Sequence, residues 1–190
     1  PPPPSTSTSH ALLTRAGFFQ PGSAAGLFSA LPLGARVVRR LRRAVEHAME
    51  APPLGGQRVE LPQLAAAEAW ARTGRLGTYG AEMFKLRDRK DAALVLSPTH
   101  EEAVTEVVTG VFGTQVPRRA LPVLAYQVGT KFRDEARPRY GLLRGREFLM
   151  KDMYSFHADE ECARRTYDDV CEAYEKLLRM VTPARARVFK

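Results

Sequence analysis

The side chains best suited to chemistry lie between residues 131 and 150. Lys131, Arg133 and Glu135 occupy every second position of KFRDE, and Arg146, Phe148 and Met150 do the same in REFLM. If both stretches are extended, each triplet lies on one face of its strand, because side chains alternate across a strand with period two. Paired through the loop ARPRYGLLRG, residues 136–145, the two strands would collect cations, a carboxylate and an aromatic ring. That is the make-up of a nucleotide site. A guanidinium fork matches phosphate oxygens, and a flat base needs an aromatic surface and an acceptor for its exocyclic amine. Arg137, Arg139 and Arg144 in the loop would let a longer anion lie across it. A lone Arg-x-Glu equally fits a solvated sheet face with Phe148 in the core, since surface ion pairs are common. The combination carries the reading.

These residues need a frame. The run PLGARVVRRLRRAVEHAME, residues 32–50, places Val37, Leu41, Val45 and Ala48 on one stripe, which predicts an amphipathic helix with Pro32 in its first turn. APPLGG ends it, and QRVELPQL, residues 57–64, reads as a short strand stopped by Pro62. Residues 67–74, AEAWARTG, predict a short helix closing at Gly74, with Trp70 in the core. KLR and LVLS, residues 85–87 and 94–97, flank a polar turn as a hairpin would. A helix follows SPT. Thr99 and Glu102 form a T-x-x-E capping pattern, and Val104, Val107, Val108 and Val111 supply its apolar face. VLAYQV, from residue 123 with Tyr126 as core, leads into the strand before the arginine loop, and Val170, Tyr174, Leu177 and Leu178 mark a last helix. Interleaved helices and hairpins without βαβ regularity predict an α+β fold on an antiparallel sheet.

The chain has 190 residues, 44% hydrophobic and 26% charged, and a formal charge of +8 carried mostly by arginine, which points to a polyanionic partner as readily as to simple solubility. No apolar run approaches the length of a bilayer span, so no membrane association is expected. Cys162 and Cys171 are expected to be reduced packing residues, and no His/Cys cluster has zinc spacing, so protein ligands alone encode no metal site. PPPPSTSTSH is low-complexity, so residues 1–10 are expected to be disordered and 11–190 to form the domain. No acidic residue precedes Glu46 although six arginines do, a bias that hints at organelle targeting.

FRDE, residues 132–135, followed by RPRYGLLRGREFLMKD, residues 137–152, resembles motif 2 of the class II aminoacyl-tRNA synthetases, and among them the bacterial-type prolyl-tRNA synthetases. LPLGARVVRRL with VELPQL looks like motif 1, SPTHEE like the proline-pocket loop, and GLLRGREFLMKDMYSF and RTYDDVCEAY are similar to the mitochondrial branch. The resemblance implies ATP-dependent activation of proline and its transfer to tRNA-Pro, with ATP and Mg²⁺ bound and a mitochondrial matrix location, or alternatively the bacterial cytoplasm. Arg133 would hold the α-phosphate and the activated carboxylate, Glu135 would meet the adenine side, Phe148 would stack on the ring, and Arg144 would reach the outer phosphates. Thr99 and Glu101 would bind the secondary amine of proline, with His157 facing the same pocket. Thr99 is also a candidate helix cap, and the two roles can coexist. The motif 1 helix and strand, with Pro62 as the signature proline, would build a homodimer interface.

The sequence ends at RVFK without the Gly-x-Gly-x-x-Arg of motif 3 or an anticodon-binding domain. The resemblance therefore leads one to expect a class II catalytic domain incomplete at its C-terminus, and a chain inactive in adenylate formation by itself. A non-catalytic module that binds RNA or a protein through the basic loop and helix is the alternative, and a synthetase for serine or threonine is a third.

Overall fold

The computed structural model describes residues 8–182. In chain order its elements are α1 (Thr8–Arg15), β1 (Phe19–Pro21), β2 (Phe28–Ala30), α2 (Pro32–Glu50), β3 (Gln57–Arg58), β4 (Leu64–Ala66), α3 (Ala67–Arg72), α4 (Arg75–Thr78), β5 (Lys85–Arg87), β6 (Ala93–Leu96), α5 (Glu101–Phe112), β7 (Val123–Phe132), β8 (Glu147–Phe156) and α6 (Glu160–Val181). The chain divides into two compact units interleaved in sequence. One unit comprises the residues up to Val38 with Pro62–Ala103 and Gly129–Met150; the other comprises Arg39–Leu61, Val104–Val128 and the residues from Lys151 on.

In the first unit β1 and β2 pair antiparallel, and β4, β6 and β5 form an antiparallel sheet in that order. The expected hairpin is thus β5–β6, with β4 added at its open edge. Ala67, Trp70, Met83 and Val95 form the core, and Tyr79 meets Trp70 edge-on at 5.7 Å. Thr8, Ser9 and His10 lie in α1, so the expected disordered segment cannot extend over them; residues 1–7 lie outside the described residues.

The second unit is built on β3, the part of β7 up to Val128, the part of β8 from Lys151, and α6. β3 pairs parallel to β7 through Gln57–Ala125 and Arg58–Tyr126, alongside the expected antiparallel pairings of the first unit. Met49, Leu54, Tyr126 and Val128 are the core, and Val45, Ala48, Val170 and Tyr174 pack on it. The helix periods foresaw this in part. Val45 and Ala48 of the α2 stripe point into the core, whereas Val37 and Leu41 remain exposed; on α5 Val104 and Val108 are buried but Val107 and Val111 are exposed. Asp159 caps α6 by accepting from the Cys162 amide, and both cysteines are free thiols. Among the described residues no helix is long and apolar enough to cross a membrane.

Lys151, on β8, donates to the Tyr174 hydroxyl and lies over its ring at 4.3 Å. Burial lowers its pKa from 10.5 to about 8, with Asp152 opposing. Between these values the unfolded chain binds more protons than the folded one, so this lysine destabilises most below pH 8 and the cost fades as pH rises to 10.5. Lys151→Met is expected to raise stability at pH 7 by about 2–3 kcal/mol, with the gain vanishing above pH 10.5 in denaturant titrations at several pH values. A gain independent of pH would contradict the assignment.

Candidate nucleotide and amino-acid site

Arg133 and Phe148 meet. The Arg133 guanidinium carbon lies 5.4 Å from the Phe148 ring centroid, within range of a cation–π contact. The Arg133 amide donates to Arg146 O at 2.9 Å, which fixes the arginine where the β7–β8 pairing ends. Its Nε is buried and has no hydrogen-bond partner among the described residues, nor is any carboxylate paired with the guanidinium. A buried donor without a partner is costly, and a bound oxyanion would satisfy it.

The strand alternation that motivated this grouping stops early. β7 ends at Phe132, so Arg133 and Glu135 lie beyond the strand. There the Glu135 amide turns back to Arg133 O at 2.7 Å, and Asp134 N–H bonds Glu82 O at 2.8 Å. Glu135 is engaged: Arg144 Nε donates to its carboxylate at 2.6 Å and the Arg137 amide at 3.2 Å. The Arg144 guanidinium, seconded by the Arg137 amide, holds the Glu135 carboxyl below its usual range. Arg146, also outside its strand, donates from Nε to Glu135 O at 3.1 Å and lies 3.6 Å from Asp134. Two glycines pin this loop. A Cβ on Gly141, whose φ is +61°, would lie 2.6 Å from His10 Nδ1, and one on Gly26 would meet Pro138 and the Arg146 amide, which donates to Gly26 O at 2.8 Å.

The second cluster gathers around the start of α5. Thr99 Oγ1 donates to Glu101 Oε2 at 2.6 Å, and Arg75 Nη1 reaches the same oxygen at 3.0 Å. Glu102, expected to complete a capping box, has its carboxylate bonded to Arg75 at 3.1 Å and to Thr73 Oγ1 at 2.9 Å. The Arg75 guanidinium rests over Trp70 at 4.8 Å and Tyr79 at 5.9 Å. Glu101 is half exposed whereas Glu102 is buried, so Glu101 is the carboxylate open to a ligand. Burial pushes its pKa up, but the Thr99 hydroxyl and Arg75 outweigh that and hold it below the ordinary value.

Pro62, Thr99, Glu101, Arg133, Glu135, Arg144 and Phe148 all fall in the first unit. His157 does not. It belongs to the second unit, where its Nδ1 lies 3.2 Å from Cys162 Sγ and it lines a cavity of about 330 Å³ with Ser155, Tyr167 and Tyr174. Arg75 escaped the sequence reading, although its place one residue after a glycine stop beside an aromatic-rich segment was visible. Among the described residues no group of three or more His, Cys, Asp or Glu could hold a metal.

Residues 84–189 match the model of the tRNA synthetase class II core domain (G, H, P, S and T). The chain belongs to this family. Within it, the chain is 48% identical over 171 residues to a proline–tRNA ligase of Sulfurihydrogenibium, covering 90% of this chain and 29% of that protein. It is 44% identical over the same length to that of Geobacillus kaustophilus, again 90% and 29%, and 49% identical over 174 residues to that of Picosynechococcus, 90% and 28%. This class II chain thus spans under a third of the relatives it matches. Two crystal structures of prolyl-tRNA synthetase from Cryptosporidium parvum, one complexed with L-proline and AMP and one with halofuginone and AMPPNP, superpose with TM-scores of 0.75 and 0.77 at 14% identity, covering 89% of this chain and 33% of theirs. They establish the fold.

Arg75→Gln is expected to raise the Glu101 carboxyl pKa toward the ordinary carboxylate value, followed by side-chain NMR titration. An unchanged titration would show that Thr99 alone sets it.

Proposed function

We propose that this chain carries the ATP- and proline-binding part of a proline–tRNA ligase. The observation that carries the reading is Arg133 held against Phe148 with its buried Nε unsatisfied, in a class II core whose curated relatives are proline–tRNA ligases. In the activation step the proline carboxylate attacks the α-phosphorus of ATP, and the protein must align the reactants and neutralise charge on the phosphoryl oxygens. Arg133 takes the α-phosphate and Phe148 covers the adenine. Glu135, oriented by Arg144 and Arg137, presents its acceptor to the adenine amine, and Arg144 extends to the outer phosphates. Glu101, kept ionised beside Thr99 and Arg75, receives the protonated amine of proline. This assignment of roles agrees with the ligands of the Cryptosporidium structures, which contain proline with AMP, and AMPPNP.

Mg²⁺ bound with ATP would supply further neutralisation of the phosphate charge beside Arg133. The loop arginines Arg137 and Arg139 offer phosphate contacts to the acceptor end of tRNA-Pro. Leu33, Val37 and Leu41, exposed at successive turns of α2, form the face for a second copy, with Pro62 at the same interface. The acid-free, arginine-bearing sequence before Glu46 favours organelle targeting and so a mitochondrial matrix location, and the bacterial relatives equally fit the bacterial cytoplasm.

Calorimetric titration tests the reading. The chain is expected to bind proline, Glu101→Ala to abolish that binding while retaining ATP affinity, and Arg133→Ala to weaken ATP at least about tenfold through loss of a charge-assisted contact. A folded chain that binds RNA but neither proline nor ATP would be a non-catalytic module instead.

A further inference from the structure

Lys131 is 0% exposed and His100 1% exposed, and they are bonded to each other, Nζ to Nδ1. The other ring nitrogen, Nε2, lies 3.0 Å from Pro62 O. A carbonyl only accepts, so Nε2 carries the ring proton and Nδ1 accepts from the lysine. The arrangement joins three segments of the first unit. Backbone bonds tie the same three: the Ser97 amide donates to Gln63 O at 2.8 Å and the Phe132 amide to Ser97 O at 3.5 Å.

Burying an ammonium costs free energy that a methionine of similar length would not incur. Stability alone therefore does not explain a lysine here. What its hydrogen bond holds does. His100 stands between Thr99 and Glu101, and its ring points inward while the Glu101 carboxylate stays half exposed. Lys131 stands two residues before Arg133, at the end of β7 where the strand releases the arginine toward Phe148. One bond thus joins the backbone that presents the carboxylate for the amine to the backbone that presents the guanidinium for the phosphate.

We infer that Lys131 and His100 are positioning residues, a buried strut that sets the amino-acid half and the nucleotide half of the site in mutual register. The inference rests on the function proposed above. In a two-substrate condensation the strut holds acceptor and donor at reacting distance, and small displacements there are costly: a misplacement of about 1 Å can cost roughly a hundredfold in rate. Both side chains are buried, out of reach of solvent. Lys131→Met removes the donor. His100→Gln places its amide nitrogen near Nε2 and keeps the bond to Pro62 O but loses the acceptor, whereas His100→Asn places its amide oxygen near Nδ1 and keeps the acceptor for Lys131.

The test is calorimetric titration of the whole chain with proline and separately with ATP, alongside thermal unfolding of each variant. We expect Lys131→Met and His100→Gln each to weaken both ligands at least tenfold in the folded protein, and His100→Asn to recover most of the loss. If Lys131→Met does not fold, His100→Gln carries the same test. Variants that unfold at lower temperature yet bind both ligands as the unsubstituted chain does would reduce the pair to a packing element and overturn the inference. Loss of proline binding alone would also overturn it, because the strut would then serve one half only. Failure of the unsubstituted chain to bind proline or ATP would instead refute the proposed function, and the inference with it.

Discussion

A guanidinium that is partly desolvated, set on an aromatic face and given no counter-ion is the constraint around which the first unit is organised. Arg133 meets all three conditions among the described residues. The arginines around it do not. Arg144 is committed to Glu135, Arg146 lies beside Asp134 and bonds the Glu135 carbonyl, and Arg75 is shared between Glu101 and Glu102. Those arginines are committed to carboxylates, whereas Arg133 has no ion pair among the described residues and its buried Nε has no hydrogen-bond partner there.

Around that arginine the chain supplies rigidity from outside the hairpin. Gly26 and Gly141 let α1 and the turn after β1 approach the loop at distances a side chain would forbid, and the Arg146 amide is bonded to Gly26 O. Beside the start of α5, stacking on Trp70 and Tyr79 fixes the Arg75 cation that, with the Thr99 hydroxyl, holds the Glu101 carboxyl below its ordinary pKa. The core residue Trp70 therefore also serves the site, through the guanidinium it supports.

Much of this was legible in the sequence, for physical reasons that also mark where legibility ended. Helical period placed α2 at residues 32–50 and found α6, and the polar turn between apolar runs located β5 and β6. Period could not say how far each apolar stripe is covered, and Val37, Leu41, Val107 and Val111 of the two predicted stripes are exposed. Strand alternation brought Arg133 and Phe148 together, yet it was extended too far: β7 ends at Phe132, and Glu135 beyond it is held by Arg144 instead. The contacts of Arg75, His100 and Lys131 could not be read locally, because their partners lie 26 to 38 positions away. His157 was assigned by resemblance to the proline pocket, and its described contacts are with α6.

The account stands on purine and phosphate sharing the Arg133–Phe148 pair, and a crystal structure of the chain with AMP tests it most directly. The predicted density places the adenine ring on Phe148 and a phosphate oxygen within hydrogen-bonding distance of Arg133 Nε. A nucleotide bound elsewhere, with Arg133 still unpartnered against Phe148, would contradict it.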